Sequence, residues 1–122
     1  MLRLPPFEYY TPQNITEAVS LKARFGEDAM YSAGGTDLYP NMKRKQCTPN
    51  TLIGLNELKE LSLINIDDDG ISLGSGISLN EVANHPEIQK LFPALSKAAS
   101  LVSAPQLRNM GTIGGNLCLD TR

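Results

Sequence analysis

Two glycine-rich segments contain the residues best suited to binding a charged ligand. Residues 33–37 read "AGGTD" and residues 111–116 read "GTIGGN". Glycine has no Cβ, so a phosphate can approach the main chain closely, and consecutive N–H groups in such a turn form an anion-binding nest. Thr36 adds a hydroxyl donor, and the helix predicted after it adds its N-terminal N–H groups. We therefore expect unpaired amides in both turns to bind one diphosphate, clamped between two lobes.

The first segment, taken alone, also fits a tight turn with no ligand. Gly34 and Gly35 follow a predicted strand, and Thr36 and Asp37 are ordinary helix caps. The segment is neither the G-x-G-x-x-G of a Rossmann fold nor a P-loop, which would continue with Gly-Lys-Ser/Thr. The second segment, which follows the polar Arg108, shifts the balance towards a ligand, because junctions between lobes are common binding places.

The remaining polar residues favour structural roles. His85 is the single histidine and precedes a proline, so we interpret it as a helix-end residue, and one histidine cannot supply a Ser/His/Asp set. Asp67, Asp68 and Asp69 lack the spaced ligands of a calcium loop and suit a hairpin tip. The basic run 43–45 suits a solvated helix C-terminus. We predict no catalytic residue and no metal ligand.

Composition limits the class of partner. The net charge is −2, which argues against nucleic-acid binding, since that requires a basic face. No apolar run approaches the length of a membrane span, and the N-terminus lacks the apolar core of a signal peptide. Cys47 and Cys118 are the only cysteines and are expected to be free thiols. These features predict a cytoplasmic protein.

Strands and helices alternate in the first half of the chain. We predict strands at 7–10, 29–33 and 51–55, and the second strand runs into a turn at Gly34 and Gly35. A helix capped by Asn14 lies between the first two, and a helix at 36–45 lies between the second and third. This order is typical of a small parallel α/β sheet.

The pattern then becomes antiparallel. Segments on either side of the Asp67–Gly70 turn predict a β-hairpin, and Ser78 begins a capped helix. A helix from Pro93 is expected to stop at Pro105, with a strand-like closing segment. The fold class is therefore α+β with an α/β N-terminal lobe, divided into lobes at 1–57 and 58–122.

The motifs "AGGTDLYPNM" and "TIGGNLC" resemble the two FAD-binding motifs in the flavin subunits of molybdenum hydroxylases. That family includes the xanthine dehydrogenase flavin domain and the carbon monoxide dehydrogenase medium subunit. The resemblance covers the whole chain and implies a PCMH-type two-lobe fold, of which this chain is an N-terminal fragment with a truncated second lobe. The ending "GGNLCLDTR" resembles the β subunit of 4-hydroxybenzoyl-CoA reductase, in which a cysteine follows and begins an iron–sulfur insertion.

The resemblance implies a flavoprotein that passes electrons and does no substrate chemistry. It implies FAD on this chain, with an iron–sulfur cluster in the missing region or a partner subunit and the molybdenum cofactor in another partner. The partners would be those two subunits and an external electron carrier. Asp120 is implied to line the cofactor. The other implied cofactor-binding residues are Tyr31, Ser32, Ala33, Gly34, Gly35, Thr36, Asp37, Leu38, Val102, Ser103, Gly111, Thr112, Ile113, Gly114, Gly115, Asn116 and Cys118. A nucleotide-binding or interaction module without enzymatic activity is the alternative.

Overall fold

The computed structural model describes residues 2–119. The chain divides into two compact units, Met1–Glu60 and Leu61–Arg122. The FAD-binding lobes predicted at 1–57 and 58–122 remain a prediction. The implied role of Asp120 and the end of the "GGNLCLDTR" segment lie outside the described residues.

The first unit contains a parallel three-stranded sheet. Its strands are β1 (Glu8–Tyr10), β2 (Ala29–Ser32) and β3 (Thr51–Gly54), arranged in the order β1-β3-β2. β3 therefore occupies the centre of the sheet, and all of its residues are buried. The predicted small parallel sheet is confirmed, and β2 ends at Ser32, one residue before the predicted end at Ala33.

Two helices connect these strands. α1 (Ile15–Phe25) begins where predicted, because the Asn14 side chain accepts a hydrogen bond of 2.8 Å from the Glu17 N–H. It ends at Gly26, which has φ +58°. α2 (Leu38–Lys43) has six residues and is shorter than the helix expected at 36–45. Residues 33–37 consequently form an open turn between β2 and α2.

The second unit begins with the predicted antiparallel hairpin of β4 (Ile64–Asp67) and β5 (Gly70–Leu73). Short helices follow it. They are α3 (Leu79–Asn84), α4 (Pro86–Leu91), α5 (Pro93–Leu101), α6 (Pro105–Met110) and α7 (Ile113–Leu117). Their core cluster includes Ile77, Val82 and Ile88, and Val102 and Ile113 pack against it.

The helix from Pro93 ends at Leu101, before Pro105, as predicted. Pro105 also begins α6, which was not predicted, because proline lacks an N–H and is well tolerated at the first helical position. One prediction for the end of the chain is wrong. The closing glycines are helical instead of strand-like. The Thr112 hydroxyl accepts a 3.0 Å hydrogen bond from the Gly115 N–H and so caps α7. Within residues 2–119, none of the helices has the length and hydrophobicity of a membrane-spanning segment.

Candidate functional site

The turn between β2 and α2 presents a row of unpaired main-chain donors. Among residues 2–119, no protein oxygen accepts a hydrogen bond from the N–H groups of residues 33–38. The carbonyls of the turn are engaged, since Gly35 O accepts from Tyr39 N at 3.2 Å and Asp37 O from Asn41 N at 3.1 Å. The turn is half-buried apart from the exposed Asp37. Main-chain donors without protein acceptors require water or a ligand, and an anion suits a consecutive row of them.

Glycine is required at one position of this turn. Gly35 has φ +69°, and a Cβ built there would lie 2.6 Å from Cδ2 of Tyr39. The Tyr39 hydroxyl lies 3.3 Å from Oγ of Ser32, which is buried at the end of β2. The tyrosine ring thus occupies the space beside Gly35 and supports the turn from that side.

The side chains around the turn differ in what they can offer a ligand. The hydroxyl of the half-buried Thr36 makes no hydrogen bond within the described residues. The Asp37 carboxylate accepts from Nδ2 of Asn41 at 2.8 Å, and the Tyr31 hydroxyl donates to Ala18 O at 3.4 Å. Because α2 has only six residues, we assign no anion binding to its dipole. The amides and the Thr36 hydroxyl are the available donors.

Tyr9 lies over the last residue of β3. A Cβ on Gly54 would overlap the Tyr9 hydroxyl. Partial burial raises the pKa of Tyr9 above its ordinary value of 10.0, and the nearby Tyr39 and Glu57 raise it further. Tyr39 and Glu57 therefore lie close enough to affect the titration of Tyr9.

The second glycine segment differs from the first because its amides are largely satisfied within the chain. The expectation of unpaired amides is wrong here, since the capped start of α7 and the segment beneath it supply acceptors. The pairs are Ile113 N to Ile77 O at 2.8 Å, Gly114 N to Ser75 O at 2.8 Å, Gly115 N to Thr112 Oγ1 at 3.0 Å and Asn116 N to Thr112 O at 2.9 Å. Gly111 N also donates, to Leu107 O at 2.7 Å.

The paired glycines of this segment have different surroundings. A Cβ on Gly114 would lie 2.5 Å from the Ser75 Cβ and 2.7 Å from the Ser75 O, so glycine lets two main-chain segments approach each other. A Cβ on Gly115 would meet only the Thr112 Oγ1, at 3.0 Å. Gly115, Asn116 and Cys118 are exposed. Among the predicted positions of this segment, these three are therefore the most accessible to a ligand.

The predicted positions 102 and 103 follow α5. Val102 is half-buried against the core, whereas Ser103 is exposed and has φ +51°. Nη1 of Arg108 donates to Val102 O at 3.2 Å and to Ser103 O at 2.8 Å. Arg108 could not be assigned this role from sequence, because no local pattern indicates which carbonyls a long side chain will reach.

Two further predictions concern metal ligands and the single histidine, His85. No group of histidine, cysteine and acidic residues in the described part of the chain is arranged to hold a metal ion. His85 ends α3, as predicted, and its buried Nδ1 lacks a hydrogen-bond partner within residues 2–119. Neither observation indicates a catalytic site.

The comparison with protein families identifies the class. Residues 5–122 match the family described as the FAD binding domain in molybdopterin dehydrogenase. The chain belongs to this family. The predicted family and the predicted FAD cofactor are thereby confirmed.

Two curated relatives indicate how much of such a protein is present. The chain is 39% identical to the carbon monoxide dehydrogenase medium chain of Hydrogenophaga pseudoflava over 113 residues, which is 93% of this chain and 39% of that protein. It is 38% identical to the nicotinate dehydrogenase FAD-subunit of Eubacterium barkeri over 112 residues, 91% of this chain and 38% of the relative. The chain thus spans about two fifths of the length of these relatives.

Solved structures confirm the PCMH-type α+β fold. Carbon monoxide dehydrogenase from Hydrogenophaga pseudoflava, in a form lacking the Mo-pyranopterin moiety of its molybdenum cofactor, matches with a TM-score of 0.92 and 38% identity over 94% of this chain and 40% of that chain. Quinoline 2-oxidoreductase from Pseudomonas putida 86 matches with a TM-score of 0.89 and 30% identity, covering 94% of this chain and 40% of its own.

Proposed function

We propose that this chain forms part of the FAD-binding, electron-transferring subunit of a molybdenum-containing oxidoreductase. The observation that carries the proposal is the row of N–H groups at residues 33–38 without protein acceptors. The family match and the similarity to subunits of carbon monoxide dehydrogenase and nicotinate dehydrogenase support the same class of enzyme.

The first turn fits the diphosphate of FAD. Consecutive amides and the free Thr36 hydroxyl can donate to phosphate oxygens, and the glycine at 35 keeps the main chain accessible. A chain of net charge −2 can still bind a diphosphate in this way, because the donors are local and neutral. When bound, the flavin would supply the redox chemistry. The residues of this chain would bind and orient it.

The other residues of the proposed site have narrower roles. We propose a main-chain contact to FAD for Tyr31, whose hydroxyl donates to Ala18 O. Ser32 is proposed to contribute chiefly by ending β2 beside the turn, because its carbonyl accepts from Leu55 N at 2.8 Å and its hydroxyl lies 3.3 Å from that of Tyr39. In the second segment, Gly115, Asn116 and Cys118 are proposed as the direct contacts, since they are exposed. The remaining proposed contacts around them are Ala33, Gly34, Asp37, Leu38, Val102, Ser103, Gly111, Thr112, Ile113 and Gly114. Of these, Thr112 and Gly114 would act chiefly by shaping α7.

The assembly is also a proposal. We propose an iron–sulfur subunit and a molybdenum-cofactor subunit as partners, an external electron carrier, and a location in the cytoplasm. The two free cysteines, Cys47 and Cys118, are consistent with a reducing compartment. Copurification of the tagged chain with iron- and molybdenum-containing subunits from its source would support this assembly, whereas recovery of the chain without them would contradict it.

The direct test is a titration of the isotope-labelled chain with FAD and, separately, with ADP. ADP shares the diphosphate and adenosine of FAD but lacks the flavin. We expect the amide resonances of residues 33–38 to shift with either ligand, because both diphosphates would occupy the turn. FAD but not ADP should shift the resonances near residues 102 and 103. Shifts that spare residues 33–38 would refute the proposed site.

Two variants sharpen this test. Gly34 is not among the described glycines with positive φ, so a side chain there requires no left-handed backbone, and valine would add atoms beside the amides of the turn. Gly34→Val should therefore retain the melting temperature and lose affinity for both ligands. Thr36→Val removes only the hydroxyl and should weaken binding by roughly fivefold, about the net value of one hydrogen bond. If Gly34→Val binds like the parent chain, the diphosphate lies elsewhere.

The finer proposal is the β subunit of 4-hydroxybenzoyl-CoA reductase, supported by the ending "GGNLCLDTR". The carbon monoxide and nicotinate dehydrogenase relatives favour the alternative, a subunit of the xanthine or carbon monoxide dehydrogenase type. The purified complex distinguishes the two. A reductase would consume 4-hydroxybenzoyl-CoA in the presence of a reduced donor, whereas a dehydrogenase would reduce a dye with carbon monoxide, nicotinate or xanthine.

A further inference from the structure

The connection between α5 and α6 contains an unusual backbone conformation. Ser103 has φ +51°, a region that residues other than glycine seldom adopt. It follows Val102, the residue that caps the C-terminus of α5, and glycine is the usual residue at this position after a helix. If this connection had only a structural role, glycine would adopt the same φ without the steric penalty of a Cβ. The presence of serine therefore suggests a role for its side chain.

Arg108 holds this connection in place. Its Nη1 donates to the carbonyls of both Val102 and Ser103, at 3.2 and 2.8 Å. The residue is half-buried and lies in the last turn of α6, where its own N–H donates to Ala104 O at 3.0 Å. Arginine is always charged, and hydrogen bonds from a charged donor are stronger than neutral ones. The two carbonyls are therefore fixed on either side of the Ser103 backbone.

The Ser103 side chain remains available to a ligand. It is exposed, and its hydroxyl makes no hydrogen bond within residues 2–119. Strained backbone positions persist where the surrounding structure determines them, and such an outlier supports a functional hypothesis. We propose that Arg108 is a positioning residue, which fixes Val102 and Ser103 for contact with the flavin ring. This inference rests on the proposed function, in which these two residues contact FAD.

The test compares affinities for FAD and ADP in the same chain. Arg108→Ala removes both hydrogen bonds and should weaken FAD binding by roughly tenfold, while ADP binding changes by less than about twofold. Arg108→Lys keeps the charge but cannot supply the planar fork, and it should recover part of the FAD affinity. Ser103→Gly relieves the backbone strain, so it should raise the melting temperature while lowering FAD affinity.

The outcomes separate the inference from the proposed function. If the parent chain binds ADP and FAD with equal affinity and without shifts at residues 102 and 103, the flavin contact fails, and the inference fails with it. If the parent chain shows that contact but Arg108→Ala binds FAD normally, only the inference is overturned. Equal losses for FAD and ADP in Arg108→Ala would show a general structural effect and would also overturn it.

Discussion

Adjacent glycines in α7 should respond in opposite directions to the same substitution. Replacing glycine by alanine inside a helix stabilises it by up to about 1 kcal/mol, because the backbone of the unfolded chain loses freedom. Gly114 and Gly115 both lie within α7, so this favourable contribution is common to the two variants. The difference between them must then come from what each new methyl group contacts.

At Gly114 the methyl group would meet the Ser75 Cβ and main-chain atoms of Ser75, none of which can move away by side-chain rotation. It would lie 2.5 Å from Ser75 Cβ and 2.7 Å from Ser75 O. Relief requires α7 to move, which weakens the 2.8 Å hydrogen bond from Gly114 N to Ser75 O. Overpacking costs about 1–3 kcal/mol and a lost hydrogen bond about 1 kcal/mol. After the gain in helix propensity, Gly114→Ala should lower the free energy of unfolding by roughly 1–3 kcal/mol.

At Gly115 the methyl group would meet only the capping hydroxyl of Thr112, at 3.0 Å. A shift of a few tenths of an ångström accommodates it, so Gly115→Ala should leave the free energy of unfolding unchanged or raise it by up to about 1 kcal/mol. Urea unfolding followed by circular dichroism measures both variants. Equal effects at the two positions, or a larger loss at Gly115, would refute the reasoning from these contacts.

Three further predictions concern stability and titration. Ser96→Ala should lower the free energy of unfolding by about 1–2 kcal/mol in urea, because the buried hydroxyl donates to Ala83 O at 2.7 Å. Asn14→Ala should cost about 1 kcal/mol in the same assay, since it removes the cap of α1. Tyr9 has a folded-state pKa above its ordinary value of 10.0, so its contribution to stability is complete below pH 10.0 and is lost as the pH rises through the folded pKa. Tyr9→Phe should therefore remove this loss of stability at alkaline pH. Tyr39→Phe should lower the pKa of Tyr9 in an ultraviolet titration.

Each of these predictions has a control. Asn14→Ser keeps an oxygen acceptor and should retain the stability that alanine loses. Ser96→Thr tests whether the hydroxyl alone is sufficient, and stability equal to that of Ser96→Ala would show that packing matters more than the hydrogen bond. An unchanged Tyr9 pKa in Tyr39→Phe would contradict the electrostatic influence of Tyr39.

Local sequence signals correctly predicted the elements that depend on interactions between residues close together in the chain. Asn14 and Ser78 each cap a helix through the hydrogen bond that their sequence context predicts. The Asp-Gly turn between β4 and β5 similarly identified the hairpin. The helical start at Pro105 was missed, because a proline after a helix fits both the end of that helix and the start of another.

The sequence identified the glycine turns as candidate binding segments, but it did not indicate which of their amides would be hydrogen-bonded within the chain. The glycines at 34 and 35 correctly indicated a turn after β2, and the structure leaves its amides unpaired. The similar glycines at 114 and 115 instead lie in a capped helix whose amides find acceptors on residues 75, 77 and 112. Those partners lie on segments that the sequence does not show to be adjacent. The two motifs are similar in sequence, but the first is a turn with unpaired amides and the second is the hydrogen-bonded start of a helix.

The order of strands has a consequence for how the first unit is made. β1 and β2 both pair with β3 and not with each other, although β3 is the last of the three to be synthesised. Until the ribosome releases residues Thr51–Gly54, neither earlier strand has its final hydrogen-bonding neighbour. Closing these long loops carries an entropic penalty that only the complete sheet offsets. The nascent unit must therefore remain unfinished, with exposed strand edges, until its central strand arrives.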